Sequence, residues 1–215
     1  MNHWDADAIV LSGADSRDDK IIRLLLETDE LIPAIVKYAR KPGKSSQSAR
    51  IQPLGRVHVM LRGKPSDDLA YLENITVESP HAVIKGDLLR YGLATTMAEI
   101  VLHLVPDWGQ EPGIYALLAK AMAHLDDPGA RAGEEVLALF ELRTLDLAGV
   151  LPPLESLGEL SPKVREALEA WRQGAWKALS PQDVRGACRV LEQMLLSASG
   201  RPLVSRAFLD QVAGT

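Results

Sequence analysis

The sequence predicts an α+β protein in which a small closed β-barrel comes first and an all-α region follows. Two observations predict it. Up to about residue 80 the apolar residues come in short runs broken by polar and turn residues, and beyond Pro80 they recur at spacings of three and four. The predicted division is therefore a barrel over 1–80 and a helical domain over 81–215.

The apolar runs are Ala8 to Leu11, Ile21 to Leu26, Leu31 to Val36, Leu54 to Leu61 and Leu69 to Val77. In the fourth, Val57, Val59 and Leu61 alternate with Arg56, His58 and Met60, the period of a strand with one face in a core and the other facing out. Five short strands in so little chain suit a barrel better than a sandwich, which needs more.

Leu89, Leu93, Met97, Ile100 and Leu104 form the first helical stripe, which Pro106 ends. Ile114, Leu117, Leu118, Ala121, Met122 and Leu125 form a second. Val136 to Val150 is apolar nearly all round, as expected of a helix at the middle of a bundle. Ser161-Pro162 and Ser180-Pro181 each set a capping hydroxyl before a proline at the first helical position, so two later helices start there. Their stripes are Val164, Leu168, Trp171, Ala175 and Val184, Cys188, Leu191, Leu195, which puts Cys188 in the core. The Pro- and Gly-containing stretch around Leu151 to Ser161 reads as a connection.

With 215 residues and an ordinary apolar fraction, the chain can build a sizeable core. Its single cysteine excludes an internal disulfide framework and any zinc site made of several thiolates. The N-terminus, with Met1, His3, Trp4, Asp5 and Asp7, has neither a basic leader nor a long apolar stretch, so a cytoplasmic protein without a membrane span is expected.

The net charge is -5, yet from Lys37 to Lys64 the sign reverses. That segment carries Lys37, Arg40, Lys41, Lys44, Arg50, Arg56, Arg62 and Lys64 and no Asp or Glu. Cations in a loop on a rigid barrel suit a phosphate backbone. A basic loop that only keeps the surface soluble fits the composition equally well. Tyr38 and Tyr71 are the aromatic candidates for stacking there, and Tyr71 fits a packed core position as well.

Other candidate chemistry is thin. Gly43-Lys44-Ser45 resembles the end of a P-loop, but the required earlier glycine is Tyr38. Asp15, Asp18 and Asp19 offer carboxylates for a divalent metal and hence a nuclease reading, against which stands an ordinary solvated turn. Glu99 and His103 are one helical turn apart and suit an ion pair, and the other histidines are scattered singly. No nucleophile with its base is recognisable, so no catalytic residue, cofactor or metal is predicted.

Three segments carry a family resemblance. Ala39-Arg40-Lys41-Pro42 through Ile51-Gln52-Pro53-Leu54 resembles the barrel loop of the bacterial RecO family, where a basic, small-residue loop leads into Leu-Gln-Pro. Phe140-Glu141-Leu142-Arg143 through Gly149-Val150 resembles its central helix, and Ser199-Gly200-Arg201-Pro202-Leu203-Val204-Ser205-Arg206 its closing motif. The resemblance implies an OB-type barrel followed by a helical domain, acting as a non-enzymatic recombination mediator in DNA repair. Such a mediator binds single- and double-stranded DNA, anneals strands and assists RecA loading. The implied partners are RecR and the acidic C-terminal tail of single-strand-binding protein.

By position, Lys37, Arg40, Lys41, Lys44 and Arg50 match the family's DNA-contacting stretch, with Arg56 continuing it, and Arg201 and Arg206 match its C-terminal basic pair. For that pair a structural role, ending a helix or meeting acids of the bundle, stands beside the DNA role. Two departures follow. The four-cysteine zinc module of many members has no counterpart, and Val204 stands where a basic residue is common. A protein-interaction module that no longer touches DNA is the alternative reading.

Overall fold

The computed structural model describes residues 2–37, 51–64 and 67–213. Its strands are β1 (Asn2–Ser16), β2 (Asp19–Leu26), β3 (Leu31–Val36), β4 (Arg56–Gly63) and β5 (Ala70–Ser79). They close in the order β1-β2-β3-β5-β4, with β3 and β5 parallel and every other pair antiparallel. This is the order of an OB-type barrel. The β3–β5 seam is short, pairing Ala34 with Ala70 and Ile35 with Tyr71.

β1 is far longer than its apolar run because it pairs with two partners. Its first half runs against β4 and its second against β2, and the register skips between Val10 and Ser12. That bulge bends the strand enough to serve both sides of the barrel. Ala6, Ala8, Val10, Ile22, Leu24, Val57, Val59 and Leu61 fill the interior.

Seven helices follow among the described residues: α1 (Ala82–Gly86), α2 (Leu88–Leu104), α3 (Ile114–Asp126), α4 (Glu134–Leu147), α5 (Pro162–Arg172), α6 (Pro181–Ser199) and α7 (Ser205–Ala213). Ser161 and Ser180 cap α5 and α6 through the N–H groups of Val164 and Asp183, with Pro162 and Pro181 first in each helix. α4 stops short of Val150, since Gly149 turns left-handed at φ 66°. α2 is buried on several sides, and Gly92 lets α7 approach it. A Cβ there would lie 3.1 Å from Leu209. Cys188 is fully buried, and burial pushes its thiol up.

The barrel interior is one apolar cluster, and the barrel's outer face shares a second one with the helices. Ile9, Leu11, Leu25, Leu31 and Leu54 point out of the barrel into the cluster that holds Leu93, Met97, Ile100 and Leu118. Burial on both faces explains why β1 and β2 read as continuous apolar runs rather than alternating ones. Polar joints reinforce the contact. Asp29, left-handed at φ 69° between β2 and β3, accepts the N–H groups of Gly113 and Tyr115 at 2.8 Å, capping α3 from the barrel. Arg23 of β2 donates to both oxygens of Asp107 at 2.9 and 3.0 Å, which raises the pKa of its guanidinium. No described helix is long and apolar enough to cross a membrane.

Candidate nucleic-acid interface

The predicted DNA-contacting residues, taken with the remaining cations Arg62 and Lys64 of the basic segment and its stacking candidate Tyr38, divide into three groups. Arg40, Lys41, Lys44, Arg50 and Tyr38 lie outside the described residues. Lys37, Arg56, Arg62 and Lys64 lie on or beside the barrel, and Arg201 and Arg206 flank the start of α7.

On the barrel, a solvent-facing row crosses three strands. Ile35 pairs with Tyr71 and Tyr71 with Arg62, so β3, β5 and β4 present neighbouring side chains on one face. Tyr71 is 38% exposed, so it is a surface residue and not the packed core residue that its sequence context equally allowed. The Arg62 guanidinium lies 4.8 Å from the centre of its ring. Lys37 stands just past β3, where the chain leaves toward the basic loop.

Segment 37–64 has no acid of its own, but the fold brings acids to it. Asp19 of β2 lies 2.9 Å from Lys37, Glu78 of β5 lies 2.8 Å from Arg56, and Glu73 of β5 lies 3.0 Å from Arg62. The expected patch of uncompensated cations therefore does not hold at these positions, because strand pairing sets residues far apart in sequence side by side. All three pairs face solvent, where an ion pair contributes about 0–1 kcal/mol.

A second cross-strand cluster joins Asp7, His58 and Glu78. His58 Nδ1 donates to Asp7 at 2.8 Å, and that bond raises the imidazole pKa. Arg56 reaches Glu78 and also Asp7, at 3.7 Å, so the positive charge facing these carboxylates is already supplied. Asp15, Asp18 and Asp19 do not form a comparable ligand group among the described residues. They flank the β1–β2 turn, and Asp19 faces Lys37.

The family-like motifs turn out to build joints. Leu54, left-handed at φ 66°, donates its N–H to Val10 and accepts from His81 Nδ1 at 2.6 Å, tying barrel to helices. Gly200 ends α6 at φ 67°, and Arg206 at the start of α7 meets Glu134 at 2.9 Å, Asp210 at 3.0 Å and Glu192 at 3.6 Å. Its side chain is 15% exposed. Of the two readings open for Arg206, the geometry therefore supplies the structural one, pairing with acids of the bundle. Arg201 is exposed and has no ion-pair partner among the described residues.

Sequence reasoning missed Arg90, whose buried guanidinium donates to the carbonyls of Leu125, Asp127, Pro128 and Ala130, and it missed Trp176, which is 55% exposed. An arginine inside an apolar helical stripe was the signal for the first. A tryptophan among small and polar residues was the signal for the second.

Family models match the chain in two successive segments. The one described as Recombination protein O N terminal matches residues 1–81, and the one described as Recombination protein O C terminal matches 85–167. The DNA repair protein RecO of Syntrophotalea carbinolica is 32% identical over 155 residues, covering 72% of this chain and 59% of the relative. That of Heliobacterium modesticaldum is 33% identical over 184 residues, covering 85% and 63%. An Anaeromyxobacter relative of the same name is 26% identical over 244 residues, covering 95% and 94%. The chain spans about three fifths of the length of the first two relatives. With a closed OB-type barrel, a helical region behind it and both segments matched in order, the chain belongs to the RecO family.

Proposed function

We propose that this chain is a non-enzymatic, cytoplasmic mediator of recombination in DNA repair. It binds single- and double-stranded DNA through the barrel, anneals strands and assists RecA loading with RecR, with the acidic tail of single-strand-binding protein as a further partner. The observation that supports this reading best is the solvent-facing pair of Tyr71 and Arg62 on an OB-type barrel, with Lys37 just past β3 where the basic segment leaves it. An aromatic ring with cations beside it offers stacking and phosphate neutralisation together, without regard to sequence. Lys37, Arg40, Lys41, Lys44, Arg50 and Arg56 are the proposed contacts, and Arg201 extends the cationic surface. Arg206 acts through the fold.

The test is a salt titration of fluorescent single-stranded and duplex DNA binding. Binding weakens linearly in log–log form with salt, and Lys37→Ala, Arg40→Ala and Lys41→Ala together weaken all sequences alike and flatten the slope. An unchanged slope in the triple variant removes the loop from the reading.

A second reading, an interaction module that binds single-strand-binding protein without touching DNA, is favoured by the carboxylates beside Lys37, Arg56 and Arg62. Tail-peptide binding without any DNA binding at low salt selects it.

A further inference from the structure

We propose that Trp176, held flat against Trp171 at the end of α5, is a base-stacking platform for single-stranded nucleic acid, with Arg143, Arg172 and Lys177 beside it to take phosphates. The proposal rests on the DNA-binding reading and adds a contact in the helical region, away from the barrel loop.

Trp171 is an anchor. It is 2% exposed, packed in the shared core, and its indole N–H donates to the Lys177 carbonyl at 2.9 Å. The chain after α5 folds back through Gly174 at φ 85°, with the N–H groups of Gly174 and Ala175 returning to the carbonyls of Trp171 and Ala170. A side chain there would be strained in that left-handed conformation. The reversal sets Trp176 on Trp171 with ring centres 5.0 Å apart and planes 9° from parallel. One face of Trp176 is thus fixed on a buried ring, yet the residue remains 55% exposed.

A ring held rigid with one face turned to water can stack on a planar group, and its neighbours favour one class of ligand. Gln173, Gly174 and Ala175, just before it in the chain, are exposed and small or polar. Cations are present too. Arg143 donates to the Arg172 carbonyl and has no carboxylate partner among the described residues. Arg172 meets Asp146 at 2.9 Å and Glu169 at 3.8 Å, and Lys177 meets Glu166, all in solvent, where such pairs are weak. A preorganised ring pays little entropy on binding, and any base offers a π-face to it.

The experiment measures binding of a dT oligomer, an abasic oligomer of equal length and a blunt duplex by wild type, Trp176→Leu, Trp176→Phe and Arg143→Ala. Leu keeps Trp171 covered, so the fold is retained, but it has no π-face. Trp176→Leu weakens dT binding about tenfold and leaves abasic and duplex binding unchanged, while Trp176→Phe stays within about threefold of wild type on dT. Arg143→Ala weakens dT and abasic binding alike and lowers the salt dependence. Wild-type affinity for dT in Trp176→Leu, or equal losses on dT and abasic strands, overturns the platform and leaves the barrel reading standing. Loss of tail-peptide capture with dT binding intact overturns it in favour of a protein ligand. No nucleic-acid binding by wild type overturns both readings.

Discussion

Glu99 and Ser205, 106 residues apart in sequence, join two helices. The Glu99 carboxylate on α2 accepts the Ser205 N–H at 2.8 Å, the Ser205 hydroxyl, and the Val204 N–H at 2.9 Å, so it caps α7 from outside that helix. His103 stands 3.7 Å away on the same helix as Glu99.

Burial alone would raise the Glu99 pKa, but the three hydrogen bonds outweigh it and hold the carboxyl below its ordinary value of 4.5. A depressed folded-state value stabilises the fold above the unfolded-state value, and that contribution is lost as pH falls through the folded one. Glu99→Ala is expected to cost about 1 kcal/mol at neutral pH, as loss of a cap does. Its urea-melt stability should differ from wild type by less and less below pH 4.5. A constant difference down to the acid limit would remove the cap from the account.

Glu141 behaves in the opposite sense. It is fully buried on α4, its oxygens have no hydrogen-bond partner among the described residues, and burial, then Glu192, push its carboxyl well above the ordinary value. Above pH 4.5 the unfolded chain releases this proton and the folded chain keeps it, so stability falls as pH rises. Glu141→Gln, neutral throughout, should flatten that fall. Thermal melts from pH 4 to 8 check it.

Arg206 faces Glu134, Glu192 and Asp210, with Glu141 behind them. Removing the one cation of this group leaves half-buried acids facing each other. Arg206→Ala should therefore destabilise by about 3 kcal/mol. Arg201→Ala, exposed, should leave the melting temperature unchanged while reducing the salt dependence of DNA binding. A variant of Arg206 that melted normally yet bound DNA poorly would return it to the DNA-contacting set.

Because Leu25 and Leu31 of the barrel lie in the helical core, barrel and helices should unfold together. One calorimetric transition is expected, and Leu25→Ala should lower it as a whole by about 2–5 kcal/mol. Two separable transitions would favour independently folding domains over 1–80 and 81–215.

Much of the fold is legible in the sequence because its signals are local. The alternation at Val57, Val59 and Leu61 and the Ser-Pro pairs before α5 and α6 act within a few residues, and both appear as read. The true length of β1 is not local, since only strand pairing extends it from Ala8–Leu11 to Asn2–Ser16. Nor is the shared core. An apolar run does not say whether its two faces meet one core or two. The charge pattern misleads for the same reason, as Asp19, Glu73 and Glu78 reach the basic segment across strands rather than along the chain. Tyr71 and Trp176 differ from buried aromatics only in which way the backbone turns them.

The two-pair seam between β3 and β5 makes the barrel a hoop with a clasp. Four of its joints are long antiparallel ladders, whereas this one hangs on Ala34 with Ala70 and Ile35 with Tyr71. Backbone amides at the clasp should exchange with deuterium sooner than those of β1 or β4. A strand lying over Tyr71 would also lie over the clasp, so whatever grips the ring from outside also fastens the hoop.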